Sequence, residues 1–352
     1  MEKPTILIEG IYSRKDLARL KRKEIWKVAD IYVPQLNDLF EINNPPLSKE
    51  SKEYKRLKGE FLDKKLKDRD LKGDWIYYPW NGILLHIVNE DDLLKLKTNR
   101  NKNLITEKEQ KVLYDSCVGI LGLSVGSGLA VGLSYQGIAK DLKLAEFDTL
   151  ETTNLNRVSA GLHQIGMRKI DIAVQKIWEI NPYANLHFFD KGLTKNVLKN
   201  FIYKAPRPRV IFEIVDDFEM KVLVRIEAKK ARIPVVAFAN LGDSILADID
   251  RYDLDGSLPL FNGLLGDFPE EILKMPDEDK NKYAVKMVGI ENVPTRALES
   301  VKEIGKTLVG RPQLSSTVIF SGALGTYVTR QIVLGNELKS GRYLIKFEEF
   351  FK

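Results

Sequence analysis

The sequence predicts an α/β fold, in which a parallel or mixed sheet carries helices on both faces and follows a small α+β N-terminal region. Two observations carry this prediction. An apolar run that begins at Val118 passes through a loop of small residues into a helical stretch, Leu129 to Tyr135. After Pro182, short apolar runs alternate with helical stretches. Such alternation is typical of βαβ units and of a Rossmann-like sheet covered on both sides.

Length and composition bound the class of protein. A chain of 352 residues is near the size at which one core stops growing, so we expect a small domain over residues 1–97 and a large one over 98–352. The apolar runs are too short to span a membrane, and the N-terminus has no cleavable signal pattern. With a single cysteine, Cys117, the sequence favours a cytoplasmic protein without disulfides.

The positive charge is unevenly distributed. Nearly all of the formal net charge of +6 lies within residues 1–112. Its basic clusters alternate with acidic and apolar residues at helical spacing, which favours solvated helix faces over a nucleic-acid-binding surface. We therefore expect no nucleic-acid partner and no membrane partner. Docking of an acidic protein stays an alternative.

The sequence of the N-terminal region predicts helices followed by a pair of strands. Residues 74–88 predict two strands around an Asn-Gly turn at Pro79 to Gly82. Aromatic residues in such a hairpin usually cover a core, and we expect this of Trp75, Tyr77 and Trp80, with a ligand box as the alternative. Helical stretches then lead into the large domain.

The loop of small residues is the first candidate site. Gly122, Ser124 and Gly126 let the backbone approach a ligand, and the unpaired N–H groups at the start of the next helix attract phosphate. The following strand ends at Asp148, whose carboxylate can accept both ribose hydroxyls. Because Ser124 and Ser127 stand where dinucleotide enzymes prefer glycine, an ordinary strand-turn-helix stays open at this point.

Three further motifs follow Asp148 in a fixed order. They are Thr153-Asn-Leu-Asn-Arg157, Gly166-Met-Arg-Lys169 and Glu179-Ile-Asn-Pro182. This order resembles the ThiF/MoeB-type adenylyltransferases, the superfamily that includes ubiquitin-activating enzymes, over roughly residues 98–240. The resemblance implies an ATP-dependent enzyme that activates a carboxylate as an acyl-adenylate and releases pyrophosphate. The carboxylate would belong to a small molecule, a peptide or a carrier-protein C-terminus.

The resemblance also implies roles for individual residues. Asn154 and Asn156 would contact the nucleotide, and Arg157 and Lys169 would neutralise phosphate charge as it develops. Asp148 would orient the ribose.

A magnesium site is implied further along the chain. Family members carry Asp-x-x-Asp-Asn-x-x-x-Arg after an apolar strand, and the second Asp holds the metal. Asp216 matches that carboxylate, and Mg²⁺ typically takes one or two carboxylates together with phosphates. Glu213, Asp217 and Lys221 replace the other motif residues. The alternative for Asp216 is a cap on the next helix.

The family also implies a homodimer with an arginine that crosses into the partner's nucleotide site. Arg100 is the best match for this arginine and Lys102 the second, although a solvated surface charge explains Arg100 nearly as well. The chain is similar to the first half of a two-part protein arrangement. In that arrangement a small N-terminal region and a ThiF-like half are followed by a nitroreductase-like half. This similarity implies a separate flavoprotein partner.

Cysteine and histidine usage limits the chemistry. No cysteine lies between Val235 and Leu273, where thioester-forming relatives carry theirs, and one cysteine cannot supply structural zinc. His163 near the Asn154 motif is expected to cap or pack, with nucleotide contact as the alternative. The polar segment Leu241 to Leu265 is expected to be a loop that selects the acyl substrate.

The last third predicts two helices and a strand. The helices are Pro294 to Leu308 and Leu314 to Leu334, and the strand is Gly341 to Phe347. Gly322 and Gly325 on the second helix suit close packing against another helix, such as one of a dimer partner.

Adenylation is the favoured function, and two alternatives stay open. A catalytically silent scaffold or dimer subunit would explain the substitutions around Asp216. An NAD- or FAD-dependent oxidoreductase would explain the glycine loop but leave Asn154 to Arg157 without a role.

Overall fold

The computed structural model describes residues 2–266, 271 and 273–352, and it divides the chain into two compact units. One unit comprises Met1–Gln110 and Trp178–Tyr183; the other comprises Lys111–Ile177 and Ala184–Lys352. The domain boundary that the sequence places between residues 97 and 98 stays a prediction. Over the described residues, the helices are all too short or too polar to cross a membrane.

The first unit contains a four-stranded sheet in the order β1-β3-β4-β2. β3 pairs antiparallel with β1 and β4, whereas β2 runs parallel to β4. Its elements are β1 Thr5–Leu7, α1 Arg14–Leu20, β2 Lys27–Asp30, α2 Tyr32–Asn43, α3 Lys52–Leu66, β3 Asp74–Tyr78, β4 Ile83–Ile87 and α4 Glu90–Thr98. The hairpin at residues 74–88 is confirmed, and the short edge strands β1 and β2 are additional to the prediction.

The hairpin aromatics belong mainly to the core, as predicted. Trp75 and Tyr77 are buried, and the Trp75 ring stacks on His86 with centroids 4.1 Å apart. Trp80 lies nearer the surface, where its indole Nε1 donates to Glu179 Oε1 at 2.7 Å. These contacts leave Trp75 and Tyr77 inside a packed cluster rather than in a ligand box.

The second unit contains a seven-stranded mixed sheet in the order β11-β10-β9-β8-β5-β6-β7. The five strands from β9 to β7 are parallel, and β10 and β11 extend the sheet antiparallel. The remaining elements are α5 Glu107–Tyr114, β5 Cys117–Leu121, α6 Gly126–Tyr135, β6 Asp141–Ala145, α7 Lys169–Ile180, β7 Asn185–Phe189, α8 Lys195–Tyr203, β8 Val210–Glu213, α9 Phe218–Ala231, β9 Val235–Leu241, β10 Ser244–Asp250, α10 Asp277–Val288, α11 Thr295–Val301, α12 Ser315–Val333 and β11 Gly341–Lys346. The predicted α/β fold with a small α+β region is therefore confirmed.

The polar segment after β9 corrects one prediction. Ser244–Asp250 is a fully buried strand, β10, although the sequence predicts a substrate-covering loop over Leu241 to Leu265. Its acidic residues are neutralised: Asp248 pairs with Arg342 of β11 at 2.9 Å, and Asp250 pairs with Arg225 of α9 at 2.8 Å. Polarity therefore does not signal exposure here, because the counter-charges come from distant parts of the chain.

Two helices of the last third also differ from the prediction. α11 ends at Val301, and turns follow in which Gly305 adopts φ +81°, so the helix expected to reach Leu308 is shorter. α12 is confirmed, but its small residues pack within the chain. A Cβ on Gly322 would stand 2.9 Å from the carbonyl carbon of Gly128 in α6, so the glycine permits close contact with α6 rather than with the dimer partner suggested above.

Candidate active site

The predicted nucleotide residues cluster at the carboxyl ends of neighbouring parallel strands. β5 lies between β6 and β8. The chain continues from β5 through β6 to β7 on one side and then returns to place β8 on the other. Ligands of open α/β sheets bind at such a switch point, outside the carboxyl ends of the strands. The loops that follow β5, β6 and β8 therefore form the candidate site.

Gly122 fits the loop after β5 because it has no side chain. Its φ is +90°, and a Cβ at this position would stand 2.2 Å from the carbonyl oxygen of Ile214. The loop after β5 thus touches the loop after β8, which continues to Asp216. α6 begins at Gly126, and its N-cap residue, Val125, supplies no side-chain hydrogen bond. The start of this helix can accept an anion.

Glu146 holds this loop in place, a role that the sequence does not reveal. The Glu146 carboxylate is buried and accepts from three backbone N–H groups: Leu123 at 2.8 Å, Phe147 at 2.9 Å and Asp148 at 3.0 Å. It ties the loop after β5 to the end of β6. In the sequence, Glu146 is an acid at the end of an apolar run, and Asp148 two residues later matches the ribose-binding position of the nucleotide fold equally well.

The structure brings Ser124, Asp148 and Lys169 together. Lys169 Nζ lies 3.0 Å from Asp148 Oδ2 and 3.3 Å from Ser124 Oγ. The Lys169 side chain is only 7% exposed, whereas that of Asp148 is 50% exposed. Backbone pairing explains the contact, since Lys169 N donates to Asp148 O at 2.9 Å. A nearly buried ammonium group therefore faces the loop at the start of α6.

The Asn154 motif forms a tight turn. Asn154 is buried, and its side-chain oxygen accepts from Glu151 N at 3.2 Å, which gives this residue a structural role. Arg157 Nη1 donates within the same turn, to Thr153 O at 3.2 Å and to Asn156 Oδ1 at 2.9 Å. Its Nε is buried without a partner among the described residues. Nucleotide contact by this turn stays a proposal.

Asp216 presents a carboxylate to solvent beside the loop after β5. Its side chain is 89% exposed. The alternative role as a helix cap is wrong, because Asp217 occupies the N-cap of α9 and its Oδ1 accepts from Met220 N at 2.6 Å. Asp216 Oδ1 instead accepts from Arg311 Nη2 at 2.5 Å. No local pattern predicts this arginine, which lies between Gly310 and Pro312 in a segment without regular structure.

A buried ionic network supports the loop that carries Asp216. Glu213 at the end of β8 accepts from Lys221 Nζ at 2.7 Å and from Arg225 Nη1 at 2.6 Å. It also accepts from Val215 N at 3.3 Å. Arg225 then donates to Asp250 at 2.8 Å. Burial raises the pKa of Asp250, and the Arg225 guanidinium opposes this effect.

The remaining candidates lie elsewhere. Arg100 is exposed in the short turn Asn99–Asn101, and Lys102 is 3.6 Å from Glu107; both belong to the first unit. His163 is exposed in the turn Leu162–Gln164. Cys117 is buried in β5, and burial raises the pKa of its thiol to about 12, which is unfavourable for a nucleophile.

The residues present fit a magnesium nucleotide. Within the described part of the chain, no group of three or more His, Cys, Asp or Glu side chains could hold a metal by itself. Mg²⁺ does not require such a group, because it binds through one or two carboxylates plus phosphate oxygens. Asp216 offers an exposed carboxylate, Lys169 a buried cation and α6 an uncapped helix start, which together suit a triphosphate and its metal.

The chain is similar in sequence to several known proteins. Uncharacterized protein MT1398 of Mycobacterium tuberculosis is 33% identical over 269 residues, 76% of this chain and 37% of that protein. Ubiquitin-like modifier-activating enzyme 5 of Arabidopsis thaliana is 33% identical over 109 residues, 31% of this chain and 25% of that enzyme. The chain thus spans less than half the length of these curated relatives.

A solved structure shows the same fold. The crystal structure of Escherichia coli MccB with ATP matches with a TM-score of 0.52 and 14% sequence identity, over 90% of this chain and 84% of that chain. The arrangement is therefore a Rossmann-like α/β fold that this chain shares with MccB. Residues 97–244 match the ThiF family, so the chain carries a ThiF family domain, and the resemblance seen in the sequence is confirmed. Members of this family are adenylyltransferases or related enzymes.

Proposed function

We propose that this chain is an ATP-dependent adenylyltransferase that activates a carboxylate without a thioester step. The contact of buried Lys169 with Ser124 and Asp148 carries the proposal, since it places a cation at the uncapped start of α6. Asp216 on the adjacent loop supplies the carboxylate for a metal. The ThiF family domain supports the same chemistry.

In the proposed reaction, a carboxylate oxygen of the substrate attacks the α-phosphorus of ATP. The bond from that phosphorus to the bridging oxygen breaks, and pyrophosphate leaves with both electrons of the bond. Negative charge develops on the non-bridging and leaving oxygens, so positioning and charge neutralisation supply most of the catalysis. Lys169 would neutralise phosphate charge, with Arg157 assisting, while Asp148 orients the ribose.

Magnesium would be held by Asp216 and would supply positive charge that neutralises the phosphates. Buried Glu213 and its partner Lys221 position the loop that carries this carboxylate. Glu146 positions the loop after β5 through its three backbone hydrogen bonds. These residues hold the two loops in position in the absence of nucleotide.

Calorimetry with Mg-ATP tests the nucleotide site first, because the carboxylate substrate is unidentified. We expect wild type to bind Mg-ATP and not NAD, and Lys169→Ala, Asp148→Ala and Arg157→Ala to weaken binding at least tenfold. The exposed residues Lys199→Ala and Asp38→Asn serve as matched controls. Unchanged binding in Lys169→Ala would contradict the proposed site.

Pyrophosphate exchange then tests the chemistry. Wild type incubated with a panel of small carboxylates and peptides should incorporate labelled pyrophosphate into ATP, and Asp216→Asn should abolish this exchange while leaving the fold intact. If wild type binds Mg-ATP but no carboxylate supports exchange, adenylation loses its support.

A catalytically silent scaffold is the second candidate, and one observation favours it. One oxygen of the Asp216 carboxylate, Oδ1, already accepts from Arg311, so a metal would compete with this ion pair. A folded wild-type protein that fails to bind Mg-ATP would favour the scaffold over the enzyme.

Proposals about partners rest on the family resemblance. A homodimer would bring Arg100 to the partner's nucleotide, and sedimentation tests the dimer. Full exchange activity in Arg100→Ala would contradict this role for the arginine. A separate flavoprotein partner is tested by co-purification of a flavin-containing protein with this chain.

A further inference from the structure

Residues 309–314 form a segment that we call the strap. It lies between the turns after α11 and the start of α12, and it has no regular secondary structure. Val309 is 94% exposed, and the Arg311 side chain is 58% exposed. At its end, Leu314 O accepts from Thr317 Oγ1 at 3.0 Å, which joins the strap to the first turn of α12.

The strap contacts two of the loops that form the candidate site. Gln313 O accepts from Asn156 Nδ2 at 2.8 Å, in the turn after β6. Two residues earlier, Arg311 Nη2 donates to Asp216 Oδ1 at 2.5 Å, in the loop after β8. The side-chain oxygen of Gln313 is buried without a partner among the described residues. The strap therefore connects the Asn156 turn with the carboxylate proposed to hold magnesium.

The pair between Arg311 and Asp216 is poorly suited to stabilising the fold. Both side chains are more than half exposed, and exposed ion pairs contribute little to stability. A guanidinium group, however, presents five N–H donors in a rigid fork that matches phosphate oxygens. Arg311 thus stands next to Asp216 with donors to spare, where the phosphates that share the magnesium ion would lie.

We propose that Arg311 is a nucleotide-binding residue, delivered by the strap, that binds the β- and γ-phosphates of ATP and so the leaving pyrophosphate. This inference rests on the proposed function. Without nucleotide, Asp216 holds the guanidinium in place. When a cation takes the carboxylate, the guanidinium donates to phosphate oxygens instead, as charge-assisted hydrogen bonds to phosphate are strong and directional.

The test compares Mg-ATP with AMP by calorimetry on the full chain. We expect Arg311→Ala to weaken Mg-ATP binding at least tenfold and to leave AMP binding unchanged, because AMP lacks the β- and γ-phosphates. Arg311→Lys should recover part of the loss. Arg296→Ala, which removes an exposed arginine of α11, is the matched control, and thermal unfolding confirms that each variant is folded.

A double variant separates direct phosphate binding from an effect through Asp216. If Arg311 acts only by neutralising that carboxylate, Arg311→Ala has no further effect when Asp216→Ala is present, and the proposal is overturned. If it binds phosphate directly, the loss of ATP affinity persists in this background. Tighter Mg-ATP binding in Arg311→Ala would also overturn the proposal.

The outcomes distinguish this proposal from the proposed function. Failure of wild type to bind either Mg-ATP or AMP contradicts the nucleotide site itself. If wild type binds both Mg-ATP and AMP, two results contradict only the role of Arg311. One is that Arg311→Ala binds both nucleotides as wild type does, and the other is that it loses affinity for both to the same extent.

Discussion

Arg225 illustrates how a single residue holds several elements of this protein in place. Its guanidinium is 1% exposed, donates to Glu213 of β8 and Asp250 of β10, and lies 4.0 Å from the centroid of the Phe261 ring. Two carboxylates that would each be costly to bury alone thereby share one cation, and Glu213 also pairs with Lys221. The loop that carries Asp216 starts immediately after Glu213, so the same cation supports the candidate site.

Loss of this guanidinium should destabilise the second unit strongly. Arg225→Met leaves buried Asp250 without its cation and Glu213 with Lys221 alone, and we expect the free energy of unfolding to fall by about 3–5 kcal/mol. Urea denaturation measures the change, with exposed Arg296→Met as control. Adding Glu213→Gln and Asp250→Asn should recover part of the loss, since neutral side chains need no counter-charge. No recovery would mean that packing on Phe261 dominates.

Cys117 should be dispensable and unreactive. It is 4% exposed in β5, burial raises the pKa of its thiol to about 12, and its Sγ lies 3.6 Å from Pro206 O. Cys117→Ala should therefore bind Mg-ATP as wild type does, and a maleimide should label the thiol far more slowly in native than in urea-unfolded protein. Rapid native labelling would show that the strand opens or that the thiol is accessible.

Lys97 should impose a pH dependence on the stability of the first unit. Burial lowers its pKa from 10.5 to about 8, and its Nζ donates to Ile180 O at 3.1 Å. Between these values the unfolded chain binds more protons than the folded chain, so the free energy of unfolding rises with pH across this window, by on the order of 3 kcal/mol.

Urea denaturation at several pH values checks this expectation. In Lys97→Met the rise between pH 8 and 10.5 should be lost relative to wild type. Lys95→Met, on the exposed side of the same helix, should keep it. Parallel profiles for wild type and Lys97→Met would contradict the assignment.

Residues of the site differ in how far the sequence predicts them. Gly122, Asp148 and Lys169 belong to short motifs at fixed spacing, and the backbone pairing of Lys169 with Asp148 then sets their contact. The role of Glu146 cannot be predicted from the sequence, because its carboxylate binds backbone N–H groups, which every residue other than proline has. The role of Arg311 cannot be predicted either, because its partner, Asp216, is 95 residues away in the sequence and no motif or secondary-structure pattern connects the two residues.

At the scale of elements, local pattern predicts the parallel strands but not β10. The strands β5 and β8 are fully buried, and β6, β7 and β9 are mainly apolar, so the apolar runs of the sequence predict all five. β10 contains Asp248 and Asp250, and its burial depends on Arg342 and Arg225, which lie in other elements. Only the three-dimensional structure shows that the two aspartates form ion pairs with these two arginines.

The contact between α12 and α6 gives a prediction at this scale. Gly322→Leu would force a side chain against the Gly128 backbone, where even a Cβ would stand at 2.9 Å. We expect a loss of about 1–3 kcal/mol in the free energy of unfolding, as overpacking usually costs. Mg-ATP binding should weaken as well, because Gly128 belongs to the first turn of α6.

Ala323→Leu is the matched control, since Ala323 is the neighbouring residue and is exposed. It should change neither stability nor Mg-ATP binding. If Gly322→Leu also changes neither, the two helices have more freedom to separate than their contact implies.

At the scale of the whole molecule, the parallel part of the sheet follows from the alternation of strands and helices, while the antiparallel extension by β10 and β11 does not. A parallel sheet with helical crossovers is the expected result of the βαβ pattern. β9 and β10 instead join through a tight turn, with Leu241 paired to Ser244. Gly242 in this turn has φ +64°, a conformation that glycine adopts readily.

The segment Trp178–Tyr183 completes the first unit although it is encoded far from the rest of that unit. Tyr183 donates its hydroxyl to buried Asp74 at 2.6 Å, and Trp178 O accepts from Tyr78 at 3.0 Å. A gene fragment that encodes residues 1–110 would therefore transplant an incomplete core and leave the Asp74 carboxylate short of a donor. An exchange of this unit between related proteins would therefore have to carry both chain segments, Met1–Gln110 and Trp178–Tyr183, to keep its core complete.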